Sequence, residues 1–298
     1  MTSFFAPGKL ILLGEHGVVY GHPALAAAIS RGVRAFAEPC SSSQLELPIG
    51  LRPPQQQALE RAFAAAAKLT RHPKVSISVE SDLPVSMGLG SSGALAVAVT
   101  RALLDAAGIA HRPATVEKIA LAMEKEFHGT PSGVDHTTSA RGAMVLFQKG
   151  RATVVKGRKP VKVLVALVGE RASTRSTVAA LRERQARWPR RYARVFKEIG
   201  TLAREGAEAV RQGDLDSLGD LMNLNQGLLS ALQLSSDRID AMTRYLRAHG
   251  ALGAKLTGAG GDGGAVIGLF REPEPMIKRL TDEGVTCFCS QLAGPIAL

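Results

Sequence analysis

The sequence predicts an α+β protein of two domains, each a small sheet with helices packed on it. Three observations carry this. Short strand-like runs are interspersed with long helical ones without strict alternation, which favours helices layered on a sheet over a doubly wound parallel fold. The chain has 298 residues, about the length at which a single core stops growing. Lys156-Gly157-Arg158-Lys159-Pro160 then breaks the composition with a polar, Pro- and Gly-bearing stretch, of the kind that separates domains. The boundary therefore falls between residues 1–158 and 159–298.

Taken in order, Leu10 to Leu13 and Val33 to Ala37 read as strands. Val75-Ser76-Ile77-Ser78-Val79 alternates apolar and polar residues, as a half-buried strand does. Ala58 to Leu69, Ser92 to Ala107 and Thr115 to Phe127 read as helices, the last with Thr115 as N-cap. Ala143 to Phe147 and Thr153 to Val155 read as strands around a turn. Beyond the boundary, Val161 to Val168 is apolar but for Lys162 and reads as a buried strand. Helices follow over Thr177 to Gln212, Leu215 to Ser230 and Ser236 to His249, with Pro189 set to break or kink the first. Ala265 to Phe270 and Thr286 to Ser290 complete the strands.

With 45% hydrophobic and 21% charged residues the chain reads as an ordinary globular protein. Its net charge of +11 fits nucleic acid, a membrane surface or phosphorylated substrates, and does not choose among them. Three cysteines, Cys40, Cys287 and Cys289, make neither a disulfide framework nor a zinc site. Phe4 to Leu13 is interrupted by Pro7, Gly8 and Lys9, unlike a signal peptide. Ala94 to Ala110 contains Arg101 and Asp105 and is too short and charged to span a bilayer. A cytoplasmic protein is expected, with no membrane partner.

Four segments carry chemistry. Asp82-Leu83-Pro84-Val85-Ser86-Met87-Gly88-Leu89-Gly90-Ser91-Ser92-Gly93 lies between a strand and a helix. Glycines let backbone approach a phosphate, and a helix N-terminus offers free N–H groups; a tight turn with serine capping explains the same residues equally well. Gly88, Gly90 and Gly93 satisfy the dinucleotide spacing, yet no acid follows at the distance that fingerprint needs. Gly258-Ala259-Gly260-Gly261-Asp262-Gly263-Gly264 is too glycine-rich for a mere turn and is expected to join a helix to a strand. Gly8-Lys9-Leu10-Ile11-Leu12-Leu13-Gly14-Glu15-His16 sets a Lys, a Glu and a His around a short strand. Finally, Glu124 lies on a helix, and Asp135 ends the Pro/Gly loop Gly129-Thr130-Pro131-Ser132-Gly133-Val134-Asp135.

Together and in this order, these segments resemble the GHMP kinase superfamily along nearly the whole chain, and within it the mevalonate kinases. Gly8 to Gly21 with Pro23 resembles the first motif, Pro84 to Gly93 the phosphate loop, and His128 to Asp135 the family's His-Gly-x-Pro-Ser-Gly-x-Asp. Lys255 to Gly260 resembles the third motif, and Arg175-Ser176-Thr177 a substrate-side segment. Asp262 stands where another glycine is common, and Thr130 where Asn is common.

The resemblance implies an N-terminal domain like the second domain of ribosomal protein S5, with left-handed βαβ connectivity, and a ferredoxin-like C-terminal domain, the site lying in the cleft between them. It implies phosphoryl transfer from ATP to the primary hydroxyl of mevalonate. ATP would be held by Pro84, Gly88, Leu89, Gly90, Ser91, Ser92 and Gly93, and Mg²⁺ by Ser92 and Glu124. Asp135 would accept or orient the hydroxyl proton, and Lys9 would stabilise charge at the reacting oxygens. Glu15, His16, Thr177, Gly258, Ala259 and Gly260 would join Lys9 and Asp135 around the substrate. A homodimer is the expected assembly. Two rivals remain. One is a phosphomevalonate or sugar kinase of the same family. The other is a basic nucleic-acid binder built on Arg182, Arg184, Arg187, Arg190, Arg191 and Arg194, but helical spacing scatters these arginines around the axis.

Overall fold

The computed structural model describes residues 2–46, 52–84, 87–169 and 174–292. Two sheets organise them. The first contains β1 (Thr2–Leu13), β2 (Ala24–Pro39), β3 (Gln44–Leu45), β4 (Val75–Ser81), β5 (Met144–Gln148) and β6 (Arg151–Val154). The long β2 pairs antiparallel with β1 along its length, with β5 at its start and with β4 at its end. β3 and β4 pair parallel, and the connection between them carries helix α1 (Pro53–Leu69), a βαβ unit.

Helix α2 (Ser91–Ala106) packs on β1 and β2, flanked by α3 (Pro113–His128) and α4 (Val134–Arg141). α2 is Ala-rich and almost wholly buried, with Ala94, Ala96, Val97, Ala98 and Val99 fully covered. A small-residue helix of this kind lets its neighbours approach closely, and the active site exploits that below.

The second sheet has the order β10-β7-β9-β8, all antiparallel. Its strands are β7 (Val161–Val168), β8 (Gly253–Thr257), β9 (Gly264–Leu269) and β10 (Cys287–Leu292). Helices α5 (Thr174–Arg187), α6 (Pro189–Gln212), α7 (Leu215–Ala231), α8 (Asp237–Ala248) and α9 (Glu274–Asp282) complete this half. Val163 and Val165 of β7 join the core shared with the first sheet, while Leu164 and Ala166 join a separate core under α6 and α8. A sheet covered on both faces needs apolar residues on both faces, which is why this strand is unbroken and apolar from Val163 to Val168, with Lys162 at its open end pairing with Glu274.

Of the two outcomes expected at Pro189 the structure shows the break, while other sequence expectations are corrected. Pro189 ends the long helix outright: Trp188 separates α5 from α6, and Pro189 takes the first helical position, where its missing N–H costs nothing. α4, β8 and α9 were not foreseen. α4 is eight residues with Thr137, Thr138 and Ser139 at its centre, poor helix formers held between two left-handed glycines, Gly133 and Gly142. The second glycine loop joins strand to strand, β8 to β9, not helix to strand.

Candidate active site

Lys9 is placed by irregular pairing. The β1–β2 register shifts between Pro7 and Lys9 and again between Ile11 and Leu13, and such bulges re-aim side chains. A Cβ on Gly90 would lie 2.7 Å from Lys9 Cγ, so this left-handed glycine clears the path of the lysine stem. Nζ of the buried Lys9 donates to the carbonyl of Gly88 at 3.2 Å and lies 3.2 Å from Asp135 Oδ1. One cation therefore stands between the glycine loop and the carboxylate.

Asp135 sits in the first turn of α4, and α4 is set by α2. A Cβ on Gly93 would fall 2.9 Å from the His136 nitrogen and 3.0 Å from Asp135 Cβ. Gly93 thus seats α4 against α2. α2 begins at Ser91 behind a left-handed Gly90 with no side-chain cap, leaving its first N–H groups to face the cleft. Ser92 Oγ donates to Glu124 Oε1 at 3.2 Å and lies 3.0 Å from His128 Nε2. Glu124 Oε2 lies 2.8 Å from His136 Nδ1.

The hydroxyl and carboxylate fit a hard divalent cation. Neighbouring oxygens around an octahedral magnesium ion stand about 2.9 Å apart, close to the Ser92–Glu124 separation. Among the described residues no trio of His, Cys, Asp or Glu gathers to hold a metal. One carboxylate and one hydroxyl would leave the remaining positions of such an ion to phosphate and water.

The second glycine loop closes the cleft from the other domain. Gly88 and Gly258 touch backbone to backbone, for a Cβ on Gly258 would lie 2.8 Å from Gly88 Cα. Beneath them Thr257 Oγ1 accepts from the Ile11 N–H at 2.9 Å and donates to the Ile11 carbonyl at 3.0 Å. His16, at φ 58°, is 2.9 Å from the Ala259 carbonyl through Nε2, which must carry the hydrogen. Burial lowers the His16 pKa to about 4, so the ring is neutral near pH 7.

The cleft is lined by Lys9, His16, Gly88, Leu89, Gly90, Ser91, Ser92, Asp135, Gly258 and Ala259, all foreseen from the sequence. Glu124 is reached through Ser92. Other expected contacts do not line it. Glu15 is completely buried and forms an ion pair with Lys255 of the second domain. Gly260 backs onto the Leu234 carbonyl. Pro84 is half-buried outside the cleft, and the neighbouring Val85 and Ser86 lie outside the described residues. Thr177 is half-buried in the first turn of α5, where its neighbour Val178 reaches the cleft instead. The side chain of Arg175 is outside the described residues. Asp262 is exposed and absent from the lining.

Sequence reading gave no role to the apolar wall of Ile11, Val18, Val19, Val134 and Val178, nor to His136, Lys255 and Asn225, which bond Glu124, Glu15 and the Gly14 N–H. Valines carry no chemical signature, and His136 acquires its meaning only when α4 meets α3. The six arginines divide between α5 and α6, and Arg184 turns inward to the Leu232 carbonyl at 2.9 Å. They make no continuous stripe.

A helix start opening onto a cleft between two α+β domains, with a lysine bridging its glycine loop to a carboxylate, is the layout of a small-molecule phosphotransferase. Comparison with known proteins gives the family. The profiles of the GHMP kinases N terminal domain and of the GHMP kinases C terminal region match residues 57–143 and 207–284. A mevalonate kinase of Aeropyrum pernix is 37% identical over 290 residues, covering 90% of this chain and 88% of the relative. One of Thermococcus sibiricus is 31% identical, covering 94% and 96%. The crystal structure of L. major mevalonate kinase in complex with R-mevalonate superposes with a TM-score of 0.86 at 25% identity, covering 100% of this chain and 97% of that one. The chain belongs to the GHMP kinases, with their two-domain α+β fold, and is an ATP-dependent small-molecule kinase.

Proposed function

We propose that this kinase transfers the γ-phosphoryl group of ATP to the primary hydroxyl of mevalonate, giving 5-phosphomevalonate for isoprenoid biosynthesis. The observation that carries this is the placement of Lys9, bonded at once to the Gly88 carbonyl and to Asp135. Phosphoryl transfer asks mainly for positioning and charge neutralisation. Asp135 accepts the hydroxyl proton as the oxygen attacks the γ-phosphorus. The bond from that phosphorus to the bridging oxygen breaks, and ADP leaves. Lys9 stabilises the charge gathering on the oxygens between the two. The first N–H groups of α2 hold the phosphates, with Gly88 and Gly90 letting backbone come close. Ser92 and Glu124 would hold Mg²⁺, which when bound would neutralise phosphate charge.

The acceptor is supported by the relatives named above and by the cleft wall. Ile11, Val18, Val19, Val134 and Val178 present branched aliphatic surface, which suits a methyl-bearing aliphatic alcohol better than a sugar with a hydroxyl on every carbon. A coupled ADP-release assay across mevalonate, phosphomevalonate, homoserine and galactose tests the reading. Mevalonate should give the highest kcat/KM, and a preference for any of the others overturns the assignment of acceptor. A cytoplasmic location and a homodimer belong to the same proposal. Three free cysteines suit a reducing compartment, and sedimentation equilibrium at micromolar concentration decides the assembly.

A further inference from the structure

His136 is a buried imidazole, 3% exposed, next to the proposed base in sequence yet turned away from it. Its Nδ1 lies 2.8 Å from Glu124 Oε2, while the other oxygen of that carboxylate, Oε1, receives the Ser92 hydroxyl. Glu124 is itself 2% exposed, so water does not compete for either oxygen. Facing an ionised carboxylate, Nδ1 carries the hydrogen and donates it. A carboxylate can rotate about its last bond, and one held on Oε2 cannot. Without the donor, Oε2 would be a buried acceptor lacking a partner and would turn to find one.

The contact also joins two halves of the site. Ser92 begins α2, Glu124 lies on α3, and His136 and Asp135 are consecutive on α4, with Asp135 bonded to Lys9 of β1. One polar chain thus runs from the phosphate side to the side where the alcohol gives up its proton.

We propose that His136 is a positioning residue: it clamps Glu124 Oε2 so that Oε1 faces Ser92 for a divalent cation, and it ties that carboxylate to the helix that presents Asp135. This rests on the reading of Ser92 and Glu124 as the cation site. Outer partners of this kind govern cation affinity by about 10–100-fold when removed.

The test measures Mn²⁺ affinity of the full chain with a non-hydrolysable ATP analogue present, by the paramagnetic resonance signal of free Mn²⁺, beside thermal melting of each variant. His136→Asn places an amide N–H as many bonds from Cβ as Nδ1 and should bind Mn²⁺ within about threefold of the parent. His136→Leu fills the space without a donor and should weaken Mn²⁺ by about 10-fold or more. In steady state it should raise the Mg²⁺ needed for half-maximal rate while leaving the saturated rate largely intact. Where the Leu variant does not fold, His136→Ala serves as the donor-free arm. A donor-free variant that binds Mn²⁺ like the parent overturns the proposal, as does an Asn variant as weak as the Leu one. Glu124→Gln separates the two levels. If it leaves Mn²⁺ affinity unchanged, the cation site itself is misplaced and the clamp falls with it. If it abolishes binding while the donor-free variant binds Mn²⁺ like the parent, only the clamp is wrong.

Discussion

Replacing Asp135 with Asn keeps the shape of the side chain and removes the charge that pairs with Lys9. General-base assistance contributes about 10²–10⁴ in rate, so Asp135→Asn should lower kcat by that order with little change in ATP affinity. Lys9→Met should also lower kcat, and because the two act as a couple 3.2 Å apart, the double variant should be little worse than the poorer single one. Near-normal turnover in Asp135→Asn removes this carboxylate from the mechanism. A second consequence concerns His16. Its folded pKa of about 4 lies below its ordinary 6.5, so the unfolded chain binds the proton more readily, and stability falls as pH drops below 6.5, levelling out below 4. Stability of the parent minus that of His16→Gln should therefore shrink by about 2 kcal/mol between pH 7 and pH 5; urea midpoints at the two pH values measure it, and the constant cost of substitution cancels. A difference independent of pH means the folded ring takes up its proton as readily as the unfolded chain does, and that burial does not depress it. Lys9, Ser92, Glu124 and Asp135 were legible in the sequence because each stands in a short segment marked by glycine, serine or proline. The pairing of Glu15 was not, because its partner Lys255 is 240 residues away.

Elements were legible where one periodicity ran long enough. β7 is apolar but for Lys162 and α2 is Ala-rich, and each was read close to its observed bounds. α4 escaped because nothing local favours it; the two flanking glycines and the packing on α2 hold it. The same fact makes the α2–α4 seam a sensitive joint. In Gly93→Ala the helix gains about 1 kcal/mol of propensity, but the new methyl stands 2.9–3.0 Å from backbone atoms of Asp135 and His136, and overpacking of this kind costs about 1–3 kcal/mol. These effects nearly offset, so the melting temperature should move little. α4, however, can relieve the clash only by shifting, which carries Asp135 away from Lys9. We expect kcat to fall at least about tenfold, since small misplacements of reacting groups are costly. Unchanged kcat in a folded Gly93→Ala would show that α4 accommodates the methyl without moving its carboxylate.

At the scale of the molecule, the two sheets are joined by polar contacts as much as by apolar packing. Residues 11 to 16 at the end of β1 meet β8 and α7 through the paired Ile11–Thr257 bonds, the Gly14 N–H to Asn225 Oδ1 at 3.3 Å, the His16–Ala259 contact and the buried Glu15–Lys255 pair. Composition announces none of this, since a buried lysine looks like any other until its strand is placed. Burial drives Glu15 up and Lys255 down in pKa, each opposed by attraction to the other. Such a pair adds little net stability but is costly to break on one side, about 3–5 kcal/mol, because the remaining charge is stranded. Lys255→Met should therefore destabilise the chain by that amount at pH 7. Glu15→Gln with Lys255→Met should recover a good part of it, as no buried charge is left. The sign of the pH effect is also set. In Lys255→Met the folded pKa of Glu15 lies further above its unfolded value, so the folded state binds the extra proton and the destabilisation shrinks as pH falls towards that unfolded value. Urea denaturation of the parent, the single and the double variant at pH 7 and pH 5 measures all of this. A single variant no less stable than the double at pH 7, or one whose deficit grows on acidification, would mean that Glu15 is already protonated beside Lys255 and that the seam is held by its hydrogen bonds alone.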